Sequence, residues 1–333
     1  MIYDQTLEEL KGTLVKNGWP AYKADIVYSG LYSQYLVSAD ELSSLSLHER
    51  ADLKQIIDWP RLDLNRSKGK DTSKYRLTLS DGLATEMVVI PGHKDSTLCI
   101  SSQVGCPLGC GFCATGRMGF LRDLTAGEIV YQVVRAFQEG HMIHNIVFMG
   151  MGEPLLNLKN VLKAIRILND PHGLKIGLRR FTISTAGVLP GMNELMKSDL
   201  HLNLAISLNA GLDSLRSDLM PINRTYPLTE LVLKAKAYVE TTGRRVTFEY
   251  ILLKGINDQN EHIDALIRLI RYSGFHLNLI PYNRAVEKYT SPDKKQVSEI
   301  AQRLGKASIN VTVRYSKGAD IQAACGMLAS QYG

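Results

Sequence analysis

The stretch Thr97-Leu98-Cys99-Ile100-Ser101-Ser102-Gln103-Val104 runs, after Gly105, into Cys106-Pro-Leu-Gly-Cys110-Gly-Phe-Cys113. An apolar, strand-like run gives way to a glycine-rich loop holding three cysteines. Six more strand-like runs follow: HNIVFMG (144–150), RFTISTAG (180–187), LNLAISL (202–208), RVTFEYILL (245–253), FHLNLIPYN (275–283) and INVTVRYS (309–316). Helical patterns lie between them, among them residues 125–140, 158–170, 227–243 and 260–274. Alternation of this kind predicts βα units around a parallel sheet, here a full or partial (β/α) barrel over 97–333. In such folds the chemistry sits where strands end. Cys106 follows the first strand, Gly152-Glu153 the second, Ser184 the third, Ser207-Leu208-Asn209 the fourth and Asn283 the sixth.

Residues 1–65 read as a small helical accessory domain, a candidate RNA-binding element, with Ser38 or Ser43 as N-caps. Residues 66–96 read as linker and hairpin. Arg61, Arg66, Lys68, Lys70, Lys74 and Arg76 are either a solvated linker or a phosphate-contacting surface. KYRLTLSDGLATEMVVIP (74–91) predicts two strands meeting at Ser80-Asp81-Gly82, with Glu86 in the second. Taken alone, Glu86 reads as a solvent-facing strand residue.

The 333 residues are 45% hydrophobic and carry a net charge of +6. That excludes a wholly disordered chain and suits a polyanionic partner. No apolar run approaches the ~20 residues that span a bilayer, and MIYDQTLEEL lacks a basic stretch followed by an apolar core, so a cytoplasmic location is expected. Five cysteines, four of them between 99 and 113, do not form a secreted disulfide framework; metal or redox chemistry is expected. Three thiolates are one short of a closed zinc site, and the nearest histidines are His93 and His141. On a [4Fe–4S] cluster, which takes four ligands, three cysteines leave one iron open. A structural zinc site or unligated thiols is the alternative.

The C-x3-C-x2-C spacing, with an aromatic before the last cysteine, resembles the signature of radical S-adenosylmethionine (SAM) enzymes. SSQVGC, FMGMGEP, ISTAG, LMPIN, LIPYN and ADIQAACG together resemble the RlmN/Cfr family of RNA adenine methyltransferases, from roughly Glu86 to Ala329. The resemblance implies a [4Fe–4S] cluster on Cys106, Cys110 and Cys113, and two SAM molecules per turnover. It implies that Cys325 carries the methyl group, that Cys99 resolves the adduct through a transient disulfide, and that Glu86 accepts the ring proton. Standing alone, Cys325 and Cys99 read as buried core cysteines.

By the same resemblance Gly152, Glu153, Ser184, Ser207, Leu208, Asn209 and Asn283 bind SAM. Asn209 departs from the family, where His is frequent at that position. The implied targets are adenosine 2503 of 23S rRNA and adenosine 37 of tRNA, at C2; methylation of the rRNA adenosine at C8, or a radical SAM paralogue with another substrate, are the alternatives, and Met118-Gly-Phe-Leu-Arg122 leans toward C2. A reductant such as flavodoxin or ferredoxin and a monomeric enzyme are expected, with no membrane partner. Candidate RNA contacts are Arg117, Arg122, Arg179, Arg180, Arg244, Arg245 and Lys317.

Overall fold

A computed structural model describes residues 1–60, 63–92, 96–271 and 274–329. Arg61 and His93 lie outside the described residues. Helices α1 (Leu7–Lys16), α2 (Tyr22–Ser33) and α3 (Leu47–Ile56) open the chain. Thr6 and Ser46 each accept a hydrogen bond from the backbone three residues on, with Glu9 and Glu49 closing the boxes. Ser43 caps nothing: residues 38–57 split into a short 3-10 turn capped by Ser38 and helix α3 capped by Ser46.

Strands β1 (Asp63–Lys68), β2 (Ser73–Thr78), β3 (Ala84–Pro91) and β4 (Ser96–Cys99) form an antiparallel meander. The hairpin at 80–82 is as expected, with Thr78 paired to Ala84. The basic stretch is less of a linker than expected, because β1 makes it the edge strand of the sheet. Arg66 lies over the Tyr75 ring at 5.6 Å and bonds Ser73.

Beyond β4 the chain forms a small two-stranded sheet, β5 (Gln103–Gly105) and β6 (Phe120–Asp123), flanking the short α4 (Ala114–Arg117). Strands β7 (Ile143–Phe148), β8 (Phe181–Thr185), β9 (Asn203–Ser207), β10 (Val246–Leu252), β11 (Phe275–Pro281) and β12 (Val311–Val313) then add to β4 in sequence order, all parallel. All seven apolar runs are therefore strands of one parallel set. Helices α5 (Ala126–Gln138), α6 (Leu158–Asn169), α7 (Leu189–Lys197), α8 (Asp213–Leu219), α9 (Leu228–Thr242), α10 (Asn260–Leu269) and α11 (Lys294–Lys306) supply the crossovers. The ten-stranded sheet is an open α/β barrel wall with its antiparallel strands on one side.

The N-terminal helices do not stand apart. The Tyr3 and Tyr131 rings meet at 5.4 Å, Tyr35 stacks on Phe137 at 5.1 Å, and one hydrophobic core runs from Ile2 into the barrel. Each such buried apolar side chain stabilises by about 1.5–3 kcal/mol. Among the described residues no helix is long and apolar enough to cross a membrane.

Gly105 sets the entry to the cysteine loop. Its φ is +76°, and a Cβ there would fall 1.9 Å from the Gly119 carbonyl oxygen, which accepts the Cys106 N–H at 2.8 Å. Gly105→Ala is expected to cost about 3 kcal/mol through strain and overlap, read as a lowered urea midpoint.

Candidate functional site

The parallel strands all end on one side, and residues at or near the ends of β7, β8, β9, β10 and β11 line one open cavity. Cys106, Cys110 and Cys113 line one wall; Gly152 and Glu153 beyond β7, Ser184 on β8 and Ser207 on β9 line another; Cys325 closes it. Eight of the expected residues thus meet in one space. Gly152 has φ +99°, and a Cβ there would reach within 2.5 Å of the Gln103 side chain, so only glycine lets this turn approach β5.

The Glu153 carboxylate is buried and accepts from Ala186 N at 2.8 Å and Leu155 N at 3.1 Å. Burial pushes its pKa up to about 7 against those two bonds. Burial likewise pushes the Cys106 thiol up to about 12 and raises Cys110. Thiols that line a cavity together and resist ionisation alone fit a cationic ligand that takes them as thiolates. Among the described residues no three His, Cys, Asp or Glu side chains converge on a single metal ion. Cys113 adds to the rise at both Cys106 and Cys110, and all three share the cavity wall, so the three sulfurs are close neighbours. Three thiolates with no fourth protein ligand among the described residues fit an iron–sulfur cluster of the kind the family resemblance implies.

Leu208, Asn209 and Asn283 are near this cavity and do not line it. Asn209 is buried with left-handed backbone (φ 57°), accepts from Ile251 N at 2.9 Å, and directs its amide at the Met220 sulfur. Asn283 donates to Ser316 Oγ at 2.9 Å and to the Cys325 carbonyl at 3.4 Å.

A second, smaller cavity adjoins the first. Cys99 and Cys325 both line it, and Cys325, Arg314 and Met149 face both cavities. Burial pushes the Cys99 thiol up to about 12, with Cys325 next in effect, and raises Cys325, where the Arg314 guanidinium opposes it. Cys99 and Cys106, seven residues apart, serve different cavities because the chain bends between β4 and β5.

Glu86 lines neither cavity and is not solvent-facing: it is 3% exposed on β3. Its Oε1 pairs with Lys74 Nζ at 2.9 Å, and its Oε2 is buried without a hydrogen-bond partner.

The basic residues divide sharply. Arg122 is taken up internally by Glu128 (2.8 Å, bidentate) and Asp81 (2.5 Å). Arg179 and Arg180 precede β8, and Arg244 and Arg245 precede β10, which puts all four at the strand ends away from the cavities. Arg117, exposed beside the cysteine loop, and Lys317, on the second cavity, stay at the mouth.

Three residues here escaped the sequence reading. Arg216 is fully buried and donates to the carbonyls of Ala186, Ser207 and Leu208 at 2.7–3.0 Å. Glu249 sits in the apolar run 245–253, and Arg314 lies within the run 309–316, just after β12. A charge inside a strand-like run was the available signal for both.

A carboxyl whose folded pKa exceeds its unfolded value stabilises the fold only while protonated. Metal-free protein is therefore expected to lose stability as pH rises from about 4.5 through 7, by about 3 kcal/mol if Glu153 acts alone. Glu153→Gln should flatten its share of that fall, read as urea midpoints from pH 5 to 8. An unchanged slope would refute the assignment.

The comparisons agree with this geometry. Residues 100–270 match the Radical SAM superfamily. The chain is 41% identical to the "Probable dual-specificity RNA methyltransferase RlmN" of Dictyoglomus thermophilum, over 98% of this chain and 95% of that protein. It is 41% identical to the "Dual-specificity RNA methyltransferase RlmN" of Syntrophobacter fumaroxidans, over 100% and 98%. The crystal structure of a radical SAM methyltransferase from Sphaerobacter thermophilus superposes with a TM-score of 0.96 at 41% identity, covering 99% of each chain. Family model, near-full-length relatives and overall fold agree, and the chain belongs to the RlmN family of radical SAM methyltransferases.

Proposed function

We propose that the protein methylates C2 of adenosine 2503 in 23S rRNA and of adenosine 37 in tRNA, through a methyl group carried on Cys325. The observation that carries this reading is the place of Cys325 on the wall shared by two cavities. One holds the three clustered thiols, and the other holds Cys99. The names of the relatives, dual-specificity RNA methyltransferases, support the substrate class.

An adenine ring carbon of this kind is not a nucleophile, so simple displacement on a methyl donor fails. When bound, a [4Fe–4S] cluster and SAM supply the remedy, a 5′-deoxyadenosyl radical able to remove a hydrogen atom from an unactivated methyl group. Cys106, Cys110 and Cys113 are the residues that would hold that cluster, as thiolates. Glu153 presents a carboxylate to an ammonium group, and Ser184 and Ser207 offer hydroxyls to polar edges. Gly152 brings the backbone close. Leu208, Asn209 and Asn283 stand behind this lining and hold its backbone, which supports an indirect part in binding.

The chain's own steps follow from its side chains. Cys325 Sγ accepts a methyl group, and two SAM molecules are consumed per methyl delivered to RNA. Once Cys325 is joined to the ring through that carbon, the adduct radical would return one electron to the bound cluster and give its ring C–H proton to Glu86, whose free Oε2 is an acceptor without a donor. Cys99 Sγ, as thiolate, then attacks Cys325 Sγ. The S–S bond forms, the Cys325 S–C bond breaks, and its electron pair stays on the methylene carbon. That carbon takes a proton and becomes the product methyl group. A flavodoxin- or ferredoxin-type donor in the cytoplasm supplies electrons, and one chain holds the whole site, which supports a monomer.

The test is expression in a bacterium lacking enzymes of this family, with mass spectrometry of nucleosides from its 23S rRNA and tRNA. 2-Methyladenosine in both is expected; 8-methyladenosine would overturn the assigned carbon. Cys325→Ala should abolish RNA methylation, and full methylation by that variant would sink the mechanism. Cys99→Ala should purify with RNA covalently attached; RNA-free, inactive protein would count against its role.

A further inference from the structure

We propose that Lys74 is a positioning residue for RNA methylation, fixing the Glu86 carboxylate and tying it to the loop that carries Cys325. This rests on the roles proposed above for Glu86 and Cys325. Glu86 on β3 faces Arg76 on β2 across the ladder, and Lys74 is two residues along on the same face. Arg76 is the nearer cation by register, yet its Nη1 is directed at Thr78 Oγ1 at 3.3 Å. Lys74 Nζ takes Glu86 Oε1 instead, at 2.9 Å, with the two side chains only 13% and 4% exposed. A pair this dry differs from a surface salt bridge: losing the lysine leaves a buried charge with no partner.

Lys74 binds one carboxylate oxygen and leaves the other bare. Its Nζ also donates to the Gln322 carbonyl at 3.4 Å, three residues before Cys325. The same hairpin grips the loop twice more: Lys70 N donates to Asp320 Oδ2 at 3.0 Å, and Lys317 Nζ donates to the carbonyl of Pro91, which ends the strand carrying Glu86, at 2.8 Å. On its other side the loop is held by the cysteine loop, with Ala114 N donating to Gly326 O at 2.8 Å and Thr115 Oγ1 to Leu328 O at 2.5 Å. The loop thus bridges two anchorages, and Lys74 is the side chain that touches both the proposed base and the proposed methyl carrier's segment. Proton transfer needs hydrogen-bond reach, and misplacement by about 1 Å can cost about 10²-fold.

The experiment uses the cluster-loaded enzyme with 23S rRNA fragments, and compares Lys74→Met, Lys74→Arg, Glu86→Gln and the double variant Lys74→Met/Glu86→Gln. Three quantities are read: methyladenosine formed on RNA, the fraction of Cys325 peptide carrying a methyl group, and 5′-deoxyadenosine released. Lys74→Met is expected to slow RNA methylation by about 10²-fold, with the other two readouts within about two-fold of wild type. Lys74→Arg should recover most of the loss. In the Glu86→Gln background, which removes the unpaired buried charge, Lys74→Met should add no further loss.

Wild-type methylation by Lys74→Met, a parallel fall of all three readouts, or a multiplicative loss in the double variant would each overturn the proposal. Failure of the underlying reading looks different. Glu86→Gln would then methylate RNA at full rate, or Cys325 would carry no methyl group in wild type, and the proposal would fall with it.

Discussion

A single buried guanidinium holds the rim of the larger cavity. Among the described residues Arg216 pairs with no carboxylate; its donors go to the carbonyls of Ala186, Ser207 and Leu208 and to Asn223 Oδ1. Burial lowers its pKa to about 10, which leaves it charged at neutral pH. Those carbonyls belong to the ends of two adjacent parallel strands, where ladder bonding stops. Each would cost about 1–3 kcal/mol if left buried and unpaired. The same residue, Ala186, gives its N–H to the Glu153 carboxylate; the Glu153 N–H goes to the Gln103 side chain, which in turn donates to Asp123. One hydrogen-bonded chain therefore runs from α8 through three strand ends to the small sheet beside the cysteine loop. The positions of Ser184, Ser207 and Glu153 are consequences of that chain as much as of the strands that carry them.

Much of this was legible in the sequence, and for a physical reason. Parallel strands are covered on both faces, so they read as apolar runs, and all seven did. Polar residues at the C-terminal ends of such runs, or just after them, fall on one edge of the sheet, which placed Cys106, Glu153, Ser184 and Ser207 together. The failures share a different cause. Strand β1 is an exposed edge whose residues, Asp-Leu-Asn-Arg-Ser-Lys, carry no apolar alternation. Glu86 read as solvent-facing because its cover, the loop around Gln322, comes from the far end of the chain. Arg122 read as free because its acceptors Asp81 and Glu128 are set by the fold. Arg179, Arg180, Arg244 and Arg245 carried a directional signal that went unread: each precedes a parallel strand, so each belongs to the edge opposite the site.

The thiol pair at the second cavity brings its own chemical constraint. A thiolate is the species that attacks carbon or sulfur, and burial holds both Cys99 and Cys325 toward the protonated form. That restrains the two sulfurs, which face one small cavity, from exchange with outside thiols or disulfides before any substrate is engaged. The same restraint opposes the proposed reaction, in which each sulfur must act once as a nucleophile. Arg314 is the group that answers it. It stands on the wall common to both cavities, and its charge works against burial at both cysteines. Glu249 raises the Cys325 thiol from the opposite direction and is itself pushed up by burial, so protonation of that carboxylate removes a charge that opposes the Cys325 thiolate. A reactive pair kept quiet by desolvation, with one cation shared between its members, is a state that a bound ligand can tip by changing the local charge alone, without rebuilding the loop that carries Cys325.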